Sequence, residues 1–183
     1  REVLILTDWY TEELFRFDQA TTVMANFSRL FCDVERFVND SQEVMAKKGM
    51  GVLCTMTDDG RHMREVTQEL RERILTRYYW PHHQRLETVV DKALYTTGRA
   101  LIVDGHSFPD KPLYRDLDQS PDRPDINIGT DDFHTRKKLL HISEAFFAGK
   151  GLEVAINRPY SGTIVPLPFL GKNRDVLSIM IGR

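Results

Sequence analysis

The sequence predicts an α/β fold with a mixed, mostly parallel sheet flanked by helices. Three observations carry that expectation. Short apolar runs of strand length, ALIV at 100 to 103 and VLSIMI at 176 to 181, alternate with longer stretches of helical periodicity. The run 100 to 103 lacks polar alternation, which suits a strand covered on both faces. Polar residues gather just beyond such runs, where open α/β sheets place their sites.

The elements follow in order. TDWYTEELFRF, residues 7 to 17, reads as helical, with apolar Trp9, Leu14 and Phe17 and with Thr7 or Asp8 as its cap. VMANFSRLF, 23 to 31, reads as a strand leading into Asp33, Glu35 and Arg36. GVLCTM, 51 to 56, reads as a short strand or a loop, and TDDG as a turn. From Met63 to Tyr95 the pattern is helical: Leu70 and Ile74 share a face, as do Leu86, Val89, Val90, Ala93 and Leu94. Pro81 interrupts it and predicts a kink or a new helix start.

Gly98 permits a turn into the strand at 100 to 103. Residues 107 to 134 are rich in Pro, Asp and Gly and read as a long, functional loop. A helix is expected from Thr135 to Ala148, with Gly149 and Gly151 at its end. A strand at 152 to 156, the loop NRPYSG and a last strand at 176 to 181 complete the chain.

The 183 residues suit one domain with a real core, and 41% hydrophobic with 28% charged residues is ordinary for a globular protein. A net charge of -2 gives no electrostatic basis for a nucleic-acid partner. The short run Arg136, Lys137, Lys138 reads as a solvated helix face. No apolar stretch is long enough to span a membrane. No signal segment is visible, but the chain opens on Arg1 rather than Met, so an N-terminal segment is expected upstream. Cys32 and Cys54 read as reduced core thiols of a cytoplasmic protein.

His106, directly after an apolar run and beside Asp104 and Ser107, suits a metal ligand or a general base; the alternative is a His satisfied by hydrogen bonds at the sheet edge. One imidazole is not a zinc site, since a catalytic zinc takes three protein ligands. No HExxH, CxxC, GxSxG, Walker loop or GxGxxG is present. Asp8 is a helix cap or a ligand. Arg36 is a carboxylate clamp or a structural ion pair with Asp33 or Glu35. RPDINIGTDDFHT, 123 to 135, reads as a loop over a pocket, with Asn127 ordering backbone and Gly129 allowing close approach, or as a surface loop capping the next helix. NRPYSGT, 157 to 163, holds Tyr160 and Gly162 in a fixed turn.

Taken together, TDWYTEELF, FSRLFCDVERF, YYWPHHQRL, LIVDGHSFP, PDINIGTDDFHT and NRPYSGTIVP, in this order, resemble the N-formylglutamate amidohydrolase family. The resemblance implies a fold like that of the zinc carboxypeptidases (phosphorylase/hydrolase-like) over the whole chain. It implies a bound Zn2+ and hydrolysis of an N-acyl amino acid. The first substrate expected is N-formyl-L-glutamate, giving formate and L-glutamate in histidine degradation. It also implies His106 and Asp8 as metal ligands, Arg29 and His83 as catalytic residues, and Arg36, Asn127, Asn157 and Tyr160 as substrate-binding residues.

The chain departs from the family pattern in four places. Glu35 stands where an Asn is usual, and His82 replaces the Tyr of a P-Y-H motif. No PHSG-like segment supplies a first metal-binding His, and Gly182 stands where the last strand normally carries a Glu. A peptidase or other amide hydrolase on the same scaffold, or a catalytically inactive small-ligand-binding homologue, are the alternatives.

Overall fold

Four strands form one sheet in the order β1-β4-β2-β3: β1 is Ala100–His106, β2 Ile126–Gly129, β3 Val154–Ile156 and β4 Val176–Gly182. β4 runs parallel to β1 and antiparallel to β2, which is parallel to β3. The sheet is therefore mixed and mostly parallel, as expected. The computed structural model describes residues 1–183. The chain divides into two compact units, Arg1–Thr7 with Ala20–Glu87, and Asp8–Gln19 with Thr88–Arg183. The helices are α1 (Glu2–Ile5), α2 (Thr11–Leu14), α3 (Gln68–Ile74), α4 (Trp80–Thr97) and α5 (Lys137–Ala148). None is long and apolar enough to cross a membrane.

In the second unit, strand alternation sorts side chains onto two faces. On one face Ala100 and Val176 pack with Val90 of α4 and with Val165. On the other, Ile126, Ile128, Ile179 and Ile181 pack with Leu139, Leu140 and Phe147. Each fully buried isoleucine contributes roughly 1.5–3 kcal/mol. α5 lies against β2 and β3, so it does not shield β1. Leu101 and Val103 are 55% and 53% exposed. That corrects the expectation that β1 is covered on both faces: an unbroken apolar run does not reveal that its strand lies at an edge.

His134, expected as a polar residue of a pocket loop, is fully buried. Its Nδ1–H donates to the Val176 carbonyl at 2.7 Å, and its Nε2 accepts from Gly171 N–H at 2.8 Å. A carbonyl only accepts and an amide N–H only donates, so the ring is neutral with its proton on Nδ1. It ties the turn before α5 to β4. β2 was expected as part of a loop. It holds four residues after Pro124, all buried, too few to display a period.

In the first unit, residues 23 to 31 form turns rather than the expected strand. Phe27 and Phe31 pack edge-on against Tyr78 beside a core of Cys32, Val34, Val52, Leu53, Ile74, Leu75 and Tyr79. Their apolar character serves that core, not a sheet face. Residues 51 to 56 are loop, with an isolated bridge from Met56 to His62. The expected helix at 7 to 17 shrinks to α2, because Tyr10 takes a left-handed φ of 63° immediately before it. Thr67 Oγ1 caps α3 by accepting from Leu70 N–H. A π turn at Leu75–Tyr79 leads into α4 two residues before Pro81. Proline has no N–H for the preceding turn and its ring crowds the carbonyl there, so the widened turn relieves both.

Both cysteines are buried and free, as expected of core thiols. Burial, with Asp33 adding to it, pushes Cys32 up to about 12 and Cys54 up to about 11. Burial likewise pushes the Tyr79 hydroxyl up to about 12. The folded protein holds these protons more tightly than the unfolded chain does. That stability is present below the unfolded values and is lost as pH rises through the folded ones. Urea midpoints should therefore hold to about pH 9 and fall towards pH 11. The double variant Cys32→Ala/Cys54→Ala should flatten the fall; a wild-type midpoint that stays constant to pH 11 would contradict this.

Candidate active site

β1 ends on Asp104, Gly105 and His106. Alternation puts Asp104 and His106 on one face and Gly105 on the other. The Phe15 ring lies against Gly105 so closely that a Cβ there would stand 2.7 Å from its Cγ and Cδ2. The bare glycine thus lets the segment carrying α2 lie against the C-terminal end of β1. The same segment brings Asp8 to the imidazole: Asp8 Oδ2 is 2.8 Å from His106 Nδ1. On the other side Asp104 Oδ1 is 3.2 Å from His106 Nε2. The second Asp104 oxygen accepts from Ile164 N–H at 2.9 Å, which fixes the carboxylate.

Asp8, read as a helix cap or a ligand, places its carboxylate against His106. The N-cap of α2 is Tyr10, with no side-chain cap, and Thr11 Oγ1 donates to the Asp8 backbone carbonyl. Imidazole nitrogen and carboxylate oxygen are both zinc donors. Asp104 and His106 carry ligand atoms close enough to share an ion, and Asp8 offers an oxygen at the other ring nitrogen. An ion on either nitrogen would meet a carboxylate on that side, while the opposite carboxylate holds the remaining N–H. That is how metal-binding histidines are usually oriented. The donor chemistry fits a divalent ion.

The sheet register extends the site. His106 pairs with Gly182, which pairs with Asn127 on its other side. Paired residues face the same way, so His106 and Asn127 share a face about 10 Å apart across two strand spacings. Gly182 between them has no side chain, and a Cβ there would lie 3.2 Å from the Phe108 ring. The Phe108 ring therefore fills the place above Gly182. The NRPYSGT segment crosses the same face. Asn127 Nδ2–H donates to the Tyr160 carbonyl at 3.0 Å. The Gly162 carbonyl lies where a Cβ of Gly129 would be, 2.2 Å away, and Ser178 Oγ–H donates to Ile164 O. The close approach expected at Gly129 is present.

The remaining expected residues divide between the units. In the second, Asn157 spends its amide on Thr130, accepting from N–H at 2.9 Å and donating to Oγ1 at 2.8 Å. Tyr160 places its hydroxyl 3.1 Å from both oxygens of Asp116. In the first, Arg36 lies 3.4 Å from Asp33, one of its two expected ion-pair partners, and 3.8 Å from Glu43. The Arg29 carbonyl lies 3.7 Å from Cys54 Sγ. His83 Nε2–H donates to Val34 O at 2.7 Å, and its ring lies 4.2 Å from that of Tyr79. Burial pushes His83 down from the ordinary imidazole value, with the Val34 bond opposing; the ring is neutral at pH 7. Burial also pushes His82 down, with His83 adding to it.

Sequence reasoning missed Arg123 and Asp116. Arg123 has a 3% exposed side chain, and its Nη2 donates to Asp116 Oδ2 at 2.9 Å and to Asp118 O at 2.9 Å. Both lie in the aperiodic Asp-rich loop, where no local spacing separates a buried pair from solvated charges.

The N-formylglutamate amidohydrolase family model matches residues 1–182. The chain belongs to this family. Its structure is similar to that of the N-formylglutamate amidohydrolase from Ralstonia eutropha JMP134, with a TM-score of 0.69 and 25% identity over 85% of this chain and 61% of that one. A gene product from Agrobacterium tumefaciens shares the fold, with a TM-score of 0.56 and 21% identity over 85% of this chain and 56% of that one. The chain thus spans less than two thirds of the length of either. No curated protein matches it. For this family member, β1 is the strand that carries the His and Asp donors.

Gly105→Ala should cost about 1–3 kcal/mol through the clash with Phe15. Phe15→Ala removes a packed ring and should also destabilise. The double variant should recover part of the combined loss, since no ring remains to clash. Urea midpoints of the four proteins test this; strictly additive losses would disprove the contact.

Proposed function

We propose that this chain is part of a zinc-dependent amidohydrolase that converts N-formyl-L-glutamate and water to formate and L-glutamate. The observation that carries the reading is His106 held between Asp8 and Asp104 in a chain of this family. Asp8 and His106 are the ligands in this reading, and Asp104 fixes the ring. When bound, zinc supplies a Lewis acid for the amide carbonyl and lowers the pKa of water towards about 7.

The protein's own groups do the rest. Arg29 stabilises charge that develops on the scissile carbonyl. His83, neutral and with its Nε2 proton engaged by Val34, takes and returns a proton at Nδ1. Arg36 takes a substrate carboxylate, while Asn127, Asn157 and Tyr160 shape the substrate's surroundings and so convert binding into orientation. A cytoplasmic place in histidine degradation belongs to the same reading, and the two free thiols suit a reducing compartment.

A second reading has one observation in its favour. Gly182 puts no carboxylate between His106 and Asn127, and Phe108 covers it. A small-ligand-binding homologue without turnover would look like this.

Protein purified with zinc should hold about one ion per chain and release formate from N-formyl-L-glutamate. His106→Ala should lose the ion and lower kcat/KM at least about 100-fold. Zinc bound without turnover on any N-formyl amino acid would favour the second reading. No zinc in either protein would remove the metal-ligand role of His106.

A further inference from the structure

Two buried side chains around Tyr160 carry polar atoms that nothing satisfies. Arg123 Nε and Nη1 lack any acceptor, and Asn127 Oδ1 lacks any donor. Leaving a buried polar group unpaired is costly, and native structures seldom do so without a reason. The two residues meet through Tyr160. Its ring lies 5.8 Å from the Arg123 guanidinium carbon, its hydroxyl bonds Asp116, and its carbonyl accepts from Asn127.

The surroundings fix Arg123 rigidly. Asp116 also accepts from Leu113 N–H at 3.0 Å, so the carboxylate that holds Nη2 is itself anchored. Phe108 packs edge-on against Tyr160 at 5.9 Å and covers Gly182, between His106 and Asn127. Arg123 precedes β2, which starts at the sheet end where β1 and β4 finish. The unsatisfied donors therefore lie at the same end of the sheet as His106.

We propose that Arg123 is a specificity-determining residue whose Nε–H and Nη1–H point in different directions and donate to separate substrate acceptors, one of them a carboxylate, with Asn127 Oδ1 accepting the substrate's amide N–H. This deepens the amidohydrolase reading and rests on it. An N-acyl dicarboxylic amino acid offers two carboxylates as acceptors and one amide N–H as donor, which matches the unsatisfied set. Asp116 keeps the guanidinium paired whatever binds, so discrimination comes from the stronger, charge-assisted hydrogen bond that a carboxylate accepts compared with a neutral amide. The unsatisfied atoms are enclosed, so binding requires neighbouring side chains to move aside.

Calorimetric binding separates this proposal from turnover. The probes are N-formyl-L-glutamate and the isosteric, uncharged N-formyl-L-glutamine, with zinc-loaded protein. The variant is Arg123→Lys, which keeps a cation beside Asp116 but loses the planar donors. The wild type should prefer the acid, and the variant should lose about 10- to 100-fold of that preference. Equal preference in the two proteins, or no binding of the acid by the wild type, overturns the proposal. Binding that behaves as expected without formate release leaves Arg123 as the reader and sinks only the hydrolytic reading.

If the variant does not fold, the wild type alone decides. The Arg123 Nε resonance, assigned through its own side-chain carbons, should move on saturation with N-formyl-L-glutamate and not with the glutamine analogue. A resonance unmoved by the acid overturns the proposal.

Discussion

The Phe15 ring against the bare Cα of Gly105 is the contact on which the candidate site depends. The same ring packs on the core of Ile126, Ile128, Ile179 and Ile181, and these apolar contacts hold the α2 segment to the end of β1 with Asp8 at His106. A hydrogen bond between a carboxylate and an imidazole near the surface is too weak to order a dozen residues by itself. Apolar packing does the ordering, and the polar pair then makes use of the position. The glycine between Asp104 and His106 is thus a packing requirement that serves a chemical end.

A second constraint acts from the opposite side of the sheet. The segment from Tyr160 to Ile164 lies over β4 and β2 because Gly129 leaves room for a carbonyl and because Ser178 and Asn127 supply bonds to it. Through Ile164 the same segment fixes Asp104. The two carboxylates flanking His106 are therefore positioned by separate parts of the chain, one by ring packing and one by backbone.

Much of the sheet was legible in the sequence. β1, β3 and β4 appear as apolar runs, and α5 shows its period with a glycine after it. The pairing of Asp8 with His106 was not legible from spacing, because the two residues lie far apart in the chain. The family resemblance supplied both as ligands without saying that one touches the other. The first unit was the least legible. Its apolar residues at 23 to 31 pack as irregular chain around α3 and the π turn, and hydrophobicity alone does not distinguish that from a strand. Arg123 escaped notice because its burial comes from tertiary closure of an Asp-rich loop, which no local pattern encodes.

The strand order carries a consequence for how the chain acquires this arrangement. β4, the last of the four strands to be synthesised, is an interior strand, with β1 on one side and β2 on the other. Until it emerges, β1 has no neighbour and its apolar residues Leu101 and Val103 lack even the partial shelter of the finished sheet. The second unit therefore cannot assemble strand by strand on the ribosome. It closes late, through pairings between distant residues, which are slow and leave aggregation-prone intermediates exposed. Expression at lower temperature or with added chaperones is the setting in which this chain should yield folded protein.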